Sequence, residues 1–250
     1  MCKAVRVLAE QQMPNYRKPA SFLIKETYPL PPYSTLIGLT HELCGWTGKN
    51  KGYRPMRVSV QGSSASVVSD YATNYAFGAI PLDRAALKVD NGDGKQSGIA
   101  RMPRNYELLT DVTLLLHIIP EDQTLIDDLY KAFLDPPVYP SLGRYEDLLR
   151  IDSVEIVELG EAPEELSTKY DAYIPVETLE GSPNVFGTLY KLGKVFEYDT
   201  GKGRQDQPGK KARRVWKQSV MVRHVCPGTA IDGSNGVLYD EKHGEAVFLA

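Results

Sequence analysis

Apolar and polar residues alternate over several short stretches of the chain. Successive side chains of a β-strand point to opposite faces, so such alternation is typical of half-buried strands. It predicts strands over 4–9, 56–61, 65–71 and 154–159. The stretch 107–119 is apolar and rich in β-branched residues, which predicts a central strand that ends at Pro120. From residue 170 onward, glycine and proline turns indicate further short strands.

Two other stretches have apolar residues at helical spacing. Three leucines lie on one face of a predicted helix over 36–44, with Ser34 or Thr35 expected as its N-cap. The stretch 122–134 predicts an amphipathic helix with acidic residues in its first turn, and the prolines at 136–137 end it. The chain therefore contains at least two helices among its strands.

In chain order, residues 1–160 form β-α-β-β…β-α-β, which is the order of a ferredoxin-like split βαβ fold of the α+β class. Asn-Gly and Asp-Gly steps at 91–94 are typical of hairpin tips, so we expect a protruding β-hairpin inserted at about 87–104. The predicted organisation is a ferredoxin-like domain over 1–164 and a small β-rich C-terminal region over 165–250, with a basic loop at 201–217.

The composition is that of a folded protein. The chain has 250 residues, of which 42% are hydrophobic and 24% charged, and this is inconsistent with extensive disorder. No apolar run reaches the roughly 18 residues that a membrane-spanning helix needs. Residues 1–8 lack the apolar stretch of a signal peptide. With only three scattered cysteines, we expect a soluble, cytoplasmic protein with reduced thiols and no membrane contact.

The charges are segregated along the chain. The net charge is −3, but residues 1–104 carry +7, residues 105–181 carry −14 and residues 182–225 carry +7. Such a chain can fold with one basic and one acidic face, which leaves binding of a polyanion open. The alternative is that the basic segments neutralise the acidic middle within one domain.

The sequence carries no recognisable metal or nucleophile motif. The segment 41–44 lacks the second histidine of an HExxH zinc helix, and His224 and Cys226 have no partner pair, so neither a metal nor another cofactor is expected. Neither a GxxxxGK[ST] phosphate loop nor a GxSxG elbow occurs. A metal-independent ribonuclease needs only a base, an acid and a cation near one phosphate, so that activity stays an alternative.

The binding features are stronger. A segment punctuated by glycine and proline carries six clustered cations, an arrangement suited to phosphates: Lys202, Arg204, Lys210, Lys211, Arg213 and Arg214. Arg17 and Lys18 follow Tyr16, and Arg144 precedes Tyr145, and cations next to aromatic rings are typical of single-stranded RNA sites. Each feature alone also fits a solvated loop or a surface charge beside a tyrosine, but together they favour RNA.

Two segments then indicate a family. The first comprises Pro19-Ala20-Ser21-Phe22 and the stretch 28–39 (YPLPPYSTLIGL), and the second is 139–146 (YPSLGRYE), after an acidic helix that ends in prolines. They resemble the CRISPR-associated Cas5 family, whose members are RAMP-superfamily subunits of Cascade complexes. The resemblance is greatest to the type I-B (Tneap) subgroup, covers about residues 1–160, and agrees with a ferredoxin-like (RRM/RAMP) domain.

The resemblance implies a role in CRISPR antiviral defence. Such a subunit caps one end of the Cascade backbone, holds the 5′ handle of the crRNA, and touches the adjacent backbone subunit and the large subunit. The inserted hairpin, called a thumb in this family, lies across the guide–target duplex, so target DNA is contacted only indirectly. That role implies nucleic-acid backbone contacts by Lys95, Arg101 and Arg104.

Two further sites are expected to contact phosphate. The N-terminus of the first helix, with Ser34 and Thr35, offers free N–H groups and the positive end of the helix dipole. Gly143 allows a close backbone approach, and Arg144 beside it offers a fork of donors. One branch of the family, type I-C, cleaves precursor crRNA with a Tyr/Lys/His-type site, and no such grouping is evident here. We therefore expect a non-catalytic RNA-binding subunit, with a metal-independent endoribonuclease that processes precursor crRNA as the alternative.

Overall fold

The computed structural model describes residues 2–47, 52–180, 182, 185–199 and 213–250, and these form fifteen strands, two α-helices and three short 3₁₀ helices. The α-helices are α1 (Tyr33–Leu43) and α2 (Ile126–Leu134), and the 3₁₀ helices are Leu82–Arg84, Gln123–Leu125 and Val176–Leu179. The strands are β1 (Cys2–Gln11), β2 (Ile24–Lys25), β3 (Met56–Ser63), β4 (Ser66–Ile80), β5 (Leu87–Asp90), β6 (Gln96–Thr110), β7 (Val112–Pro120), β8 (Arg150–Glu161), β9 (Glu165–Ser167), β10 (Asp171–Pro175), β11 (Thr188–Asp199), β12 (Arg213–Val225), β13 (Ala230–Asp232), β14 (Leu238–Asp240) and β15 (Glu245–Val247).

One large sheet organises the molecule. Its nine strands follow the order β11-β12-β10-β3-β7-β1-β8-β14-β15, and the four central strands β3, β7, β1 and β8 pair antiparallel. Helix α1 connects β1 to β3 with β7 between them, and α2 connects β7 to β8 with β1 between them. The fold is thus mixed α/β and mostly strand, as the alternating pattern predicts.

The two faces of the central strands are covered differently. Residues of β1 and β7 that alternate along the strands, such as Val5, Val7 and Leu116, pack with both helices in the main hydrophobic core. The opposite face packs against the C-terminal hairpin of β14 and β15, and its apolar part contains Ala4, Ile119 and Val247. After that hairpin, the backbone of Ala250 pairs with that of Val58 in β3.

The C-terminal region, residues 165–250, contributes strands to both ends of the large sheet. Strands β10, β12 and β11 extend the sheet beyond β3, while β14 and β15 extend it beyond β8. Residues 213–217, predicted as part of a basic loop, instead begin strand β12. They belong to a strand because residues 213–216 and 218–224 pair with β11 in antiparallel register, with an irregularity at Lys217.

A long two-stranded ribbon, formed by β4 and β6, leaves this sheet. Each strand has 15 residues, which corresponds to a length of roughly 50 Å. The short strand β5 pairs with the far end of β6. The predicted hairpin over 87–104 forms only the distal part of this ribbon, because β4 continues to Ile80 rather than ending near residue 71.

The strand predicted over 107–119 is wrong as a single strand. It is divided between β6 and β7 at Asp111, which has a φ of 48° and is the one non-glycine residue with positive φ in the described part of the chain. Its N–H donates to the carbonyl of Gln12 at 2.9 Å. Aspartate tolerates this left-handed conformation better than the β-branched residues around it, so the ribbon turns away from the sheet here.

The N-cap prediction for the first helix is also wrong. The N-cap is Pro32, and Ser34 and Thr35 lie within the first turn, without a side-chain cap. Proline fits the start of a helix because it lacks the N–H that would be unpaired there. The Thr35 N–H donates to the Pro32 carbonyl at 2.9 Å, so it is not available to a phosphate. None of the helices in the described ranges is long and apolar enough to cross a membrane.

His41 fastens the chain that follows α1 to the helix. Its Nε2 accepts the N–H of Arg54 at 3.0 Å, and its Nδ1 bonds the carbonyl of Ile37 at 2.8 Å. The ring also stacks on Tyr53 and meets the edge of Trp46. A main-chain N–H can only donate, so the ring is neutral with its proton on Nδ1. Protonation of Nε2 would break this attachment.

We expect the stability of the protein to fall as the pH decreases below about 6.5. Burial, with a smaller contribution from Arg54, lowers the pKa of His41 from its usual 6.5, and burial also lowers the pKa values of His117 and His224. The unfolded chain then binds more protons, so stability is complete above pH 6.5 and decreases toward the folded-state pKa values, by up to about 1.4 kcal/mol per pH unit for each group. Urea unfolding at a series of pH values measures the slope of unfolding free energy against pH. His41→Gln should reduce this slope, and an unchanged slope would contradict the role of His41.

Candidate nucleic-acid interface

One face of the ribbon carries large apolar side chains in contact with solvent. Tyr71, Tyr75 and Phe77 of β4 are exposed by 69%, 52% and 66%, and Val67 lies on the same face. Arg101 of β6 lies directly opposite Tyr75 in the register, with its guanidinium 6.0 Å from the ring centroid. We call these five residues the aromatic face. Alternate strand positions share a face, so the rings form a row along the ribbon.

An isolated two-stranded ribbon does not bury such side chains by itself. Large exposed apolar patches on a protein mark binding surfaces, and a hairpin without a covering layer is only marginally stable. Aromatic rings next to an arginine suit unpaired bases and their phosphates, because rings stack on any base and the cation neutralises the backbone. The chemistry of the aromatic face is therefore that of a single-stranded nucleic-acid platform.

A groove crosses the ribbon beside this face. It has a volume of about 380 Å³, its floor includes Leu87 and Ile99, and both Arg84 and Arg101 line it. Lys95 lies in the turn at the far end of the ribbon, where its ammonium is 3.8 Å from the Asp93 carboxylate. The distal ribbon thus offers cations next to apolar surface, although acidic residues are interspersed with them.

A group of three cations lies at the base of the ribbon. The loop 12–32 runs beside β6, since β2 pairs with it in parallel and places Lys25 opposite Tyr106. Burial lowers the pKa of Lys25, and the positive charges of Arg17 and Arg104 lower it further. We call Arg17, Lys25 and Arg104 the basic cluster. Like charges brought together in this way favour the binding of an anion such as phosphate.

Lys25 is a residue that the sequence analysis did not single out. It is buried, and its Nζ donates to the carbonyl of Phe22 at 2.6 Å, so it contributes charge rather than a free contact. Lys18 is paired with Glu26 at 3.2 Å and does not belong to the basic cluster as defined. Only the parallel pairing of β2 with β6, which has no signal in the sequence, brings Lys25 and Arg104 together.

Arg144 is engaged within the protein. Its guanidinium binds the buried carboxylate of Asp147, with Nη2 at 2.6 Å, donates to the carbonyl of Met13 at 3.2 Å, and lies 5.3 Å from the ring centroid of Tyr106. The same carboxylate accepts the main-chain N–H of Arg144 at 2.7 Å. Arg144 therefore holds the loop 139–149 against the base of the ribbon.

Gly143 fits the same arrangement. Its φ is +116°, and a Cβ at this position would lie 2.8 Å from a carboxylate oxygen of Asp147 and 3.0 Å from the carbonyl oxygen of Asn15. The close approach that the sequence analysis assigns to a phosphate is thus made by the protein itself. Tyr145, in contrast, is 94% exposed and is free to stack.

The remaining predicted contacts lie elsewhere or outside the described residues. Ser34 and Thr35 are half-buried at the start of α1, which packs against β3 and β11. Arg213 and Arg214 begin β12, but their side chains, like the whole of Lys202, Arg204, Lys210 and Lys211, lie outside what the structure describes. The structure brings Arg17, Arg101, Arg104 and Tyr145 to or near the ribbon.

A cleft beside the end of β1 does not suit RNA. It has a volume of about 730 Å³, and it lies between the end of β1, Asp111 and the loop 139–149. Four carboxylates line it against two arginines, namely Glu10, Asp111, Glu146 and Asp147 against Arg144 and Arg150. Both arginines are already paired with carboxylates. Its net negative charge repels phosphates.

Comparison with known proteins identifies the family. Residues 5–225 match the family model described as CRISPR-associated protein (Cas_Cas5), which is most of the chain. The chain belongs to the CRISPR-associated Cas5 family. The resemblance of residues 1–160 to Cas5 proteins is thereby confirmed and extends into the C-terminal region, while the type I-B (Tneap) subgroup stays a prediction.

Solved structures give a similar result for the fold. A chain of a CRISPR RNA-guided surveillance complex superposes with a TM-score of 0.53 at 18% identity, covering 93% of this Cas5 chain and 92% of that chain. A CRISPR protein from Archaeoglobus fulgidus gives a TM-score of 0.47 at 13% identity, covering 99% of this chain and 98% of that one. No curated protein sequence matches significantly. The first of these structures shows a shared fold.

Proposed function

We propose that this Cas5 protein is a non-catalytic, RNA-binding subunit of a type I CRISPR Cascade complex that caps the backbone and holds the 5′ handle of the crRNA. The observation that carries the proposal is the aromatic face of the ribbon, with Arg101 over Tyr75 and the basic cluster at its base. Family membership and the shared fold with a chain of an RNA-guided surveillance complex support it.

The core of the fold is proposed to be ferredoxin-like, with the ribbon as its thumb. The support is the antiparallel order β8-β1-β7-β3, in which each β-α-β unit encloses one strand of the other, as in a split βαβ fold. The thumb then corresponds to the whole ribbon from β4 to β6 rather than to its tip. Its attachment at Asp111 places the basic cluster and the loop 139–149 beside the base of the thumb.

Handle recognition would combine two physical effects. Charge neutralisation by the cations is independent of base sequence, whereas stacking on the aromatic face requires the unpaired bases of a single strand. The acidic segment 105–181 would face the neighbouring backbone subunit, the large subunit or solvent, and target DNA would be reached through the guide duplex. A type I-B assignment and a cytoplasmic location belong to the same proposal.

The absence of catalysis is part of the proposal. A ribonuclease of this kind needs an exposed base next to the RNA. The four histidines of the chain are buried or half-buried, and none lies on the ribbon: His41, His117, His224 and His243. His41 is held neutral by two main-chain bonds, and His243 is paired with Asp240 at 2.8 Å. These engagements support binding without cleavage.

Tyr75→Ala is expected to weaken binding of single-stranded repeat RNA by about 5- to 150-fold. One base stacked on an aromatic ring contributes about 1–3 kcal/mol, and the exposed ring is removed without disturbing the core. The measurement is a titration of labelled repeat RNA with purified protein in EDTA, followed on gels for both retention and cleavage. The wild-type protein should retain RNA without producing a discrete product.

Matched variants show whether the effect is specific to the ribbon. Arg101→Ala should lower the slope of log affinity against log salt by about 0.7, the value for one phosphate contact on a single strand. Tyr139→Ala and Lys131→Ala remove an exposed ring and an exposed cation in the acidic segment. They should change neither the RNA affinity nor its slope against salt. If Tyr75→Ala and Tyr139→Ala changed the RNA affinity equally, the effect would not be specific to the ribbon, and the ribbon would not be assigned to the binding site. A discrete product in EDTA would favour a processing endoribonuclease.

A further inference from the structure

A row of polar side chains crosses the otherwise apolar centre of the large sheet. Ser59 of β3, His117 of β7, Arg6 of β1 and Glu155 of β8 are consecutive partners in the strand registers. They lie on the face covered by the hairpin of β14 and β15. Polar groups in such a position need partners, because removing them from water without a bond is costly.

His117 lacks such partners. Its side chain is fully buried, and neither ring nitrogen has a hydrogen bond within the described residues. Nε2 is directed toward two carboxylates of the covering hairpin, with Asp240 Oδ2 at 3.8 Å and Glu245 Oε2 at 4.0 Å. These distances are too long for hydrogen bonds and leave a small space between three potential ligand atoms.

The three ligand atoms converge. His117, Asp240 and Glu245 are all buried, and their nitrogen and oxygen atoms lie within 4.8 Å of one another. Ligand atoms about 2.1 Å from a tetrahedral zinc ion stand roughly 3.4 Å apart, so the two distances from His117 Nε2 would each have to shorten by about half an ångström, and a water would take the fourth position.

The buried carboxylates have few cationic neighbours. Arg6 donates to both oxygens of Glu245 at 2.8 Å and lies 3.8 Å from Asp240. His243 lies on the other side of Asp240, with its Nδ1 2.8 Å from Oδ2. In the described part of the chain, Arg6 is the one permanently charged cation that contacts both carboxylates, and a bound metal ion would add positive charge beside them.

Other side chains orient the carboxylates, as is typical around metal ligands. His243 Nδ1 bonds Asp240 Oδ2 at 2.8 Å, and the other oxygen of Asp240 accepts the N–H of Lys242 at 3.1 Å. Arg6 fixes Glu245 by donating to both of its oxygens, including Oε2, the oxygen nearest His117. Such outer contacts determine the orientation and basicity of first ligands.

We propose that His117, Asp240 and Glu245 form a binding site for a divalent transition-metal ion that fastens the C-terminal hairpin to the central sheet. One imidazole with two carboxylates suits zinc, and manganese less well, whereas magnesium prefers an octahedral set of oxygens with several waters. The site lies on the sheet face opposite the helices and away from the ribbon. Its role is structural, so it is independent of RNA binding.

The test uses the full-length protein, stripped with EDTA and dialysed against Zn²⁺. We expect one zinc ion per chain by atomic absorption and, at a free concentration of about 100 times Kd, an increase in Tm of roughly 5–10 °C. His117→Gln should lose both the bound zinc and the increase, whereas His224→Gln, which alters a histidine with only one carboxylate neighbour at 3.8 Å, should retain them. Mg²⁺ should leave Tm unchanged.

Cobalt provides a second measurement that does not depend on a variant. Co²⁺ bound to the wild-type protein should show visible d–d absorption without a thiolate charge-transfer band, and Zn²⁺ should displace it. A thiolate band would assign the metal to cysteine instead and overturn the proposal. A zinc stoichiometry well below one per chain would also overturn the proposal, as would zinc binding that His117→Gln leaves unchanged. A buried water would then be the partner of His117.

Discussion

The Arg6→Met variant is expected to lose about 3–5 kcal/mol of unfolding free energy when measured in EDTA. Arg6 is buried, and its guanidinium makes two parallel bonds of 2.8 Å to Glu245. Methionine retains much of the apolar stem but leaves Glu245 and Asp240 without their buried cation. The cost arises because the buried carboxylate of Glu245 loses both of its bonds to Arg6, while Asp240 keeps only His243 and main-chain N–H groups as partners. Neither carboxylate can regain water without displacing the hairpin of β14 and β15.

Urea unfolding measures this loss as a shift in midpoint at constant slope. Arg150→Met is the matched control, because Arg150 also binds two carboxylates, Glu10 at 2.6 Å and Asp152 at 2.7 Å, but its side chain is 67% exposed. Water replaces the lost bonds there, so the expected loss is below about 1 kcal/mol. Similar losses in both variants would mean that burial does not determine the strength of the Arg6 pair.

The buried Arg6 cluster also illustrates what sequence alone does not show. Alternation along β1 correctly predicts a strand, yet Arg6 is indistinguishable there from the outward-facing charge of an ordinary half-exposed strand. Its burial depends on a hairpin more than two hundred residues later in the chain. Local periodicity reports which residues share a face, but not whether a distant segment covers that face.

The same limit applies to the ribbon. Turn chemistry at 91–94 predicts a hairpin tip, but the alternation expected of β4 stops being visible after residue 71, because both of its faces remain largely exposed and no core imposes a period. The apolar run 107–119 gives no sign of the break at Asp111, since a single φ/ψ change leaves the composition unaltered.

Some residues of the candidate site could be expected from sequence, and others could not. Arg17 is visible in sequence as a cation next to a tyrosine, whereas Arg101 and Arg104 are expected from the role that the family resemblance implies for the hairpin. Tyr71, Tyr75 and Phe77 could not be expected, because a tyrosine or phenylalanine in a strand is more often a core residue than an exposed one. Arg144 shows the reverse case: next to Tyr145 it resembles a free cation, and only the structure reveals its bond to Asp147.

Asp147→Ala is expected to destabilise the protein by about 3–5 kcal/mol and to release the loop 139–149 from the base of the ribbon. The buried carboxylate accepts the main-chain N–H groups of Asn15 at 3.0 Å and Arg144 at 2.7 Å, together with the Arg144 guanidinium. Alanine leaves two buried N–H groups unbonded and removes the partner of a half-buried cation. Urea unfolding measures the loss, and faster amide exchange at Asn15 and Arg144 would locate it.

Glu146→Ala is the control for this prediction. Glu146 also pairs with Arg144, at 3.4 Å, but its side chain is 64% exposed, so the expected loss is below about 1 kcal/mol. Asp147→Asn should fall between the two, because its amide oxygen still accepts one N–H while the charge is lost. Equal effects of Asp147→Ala and Glu146→Ala would mean that the loop is held by its apolar contacts, and Arg144 would then be available to a phosphate. A large difference means that the carboxylate of Asp147 already occupies the position that a phosphate would take on Arg144.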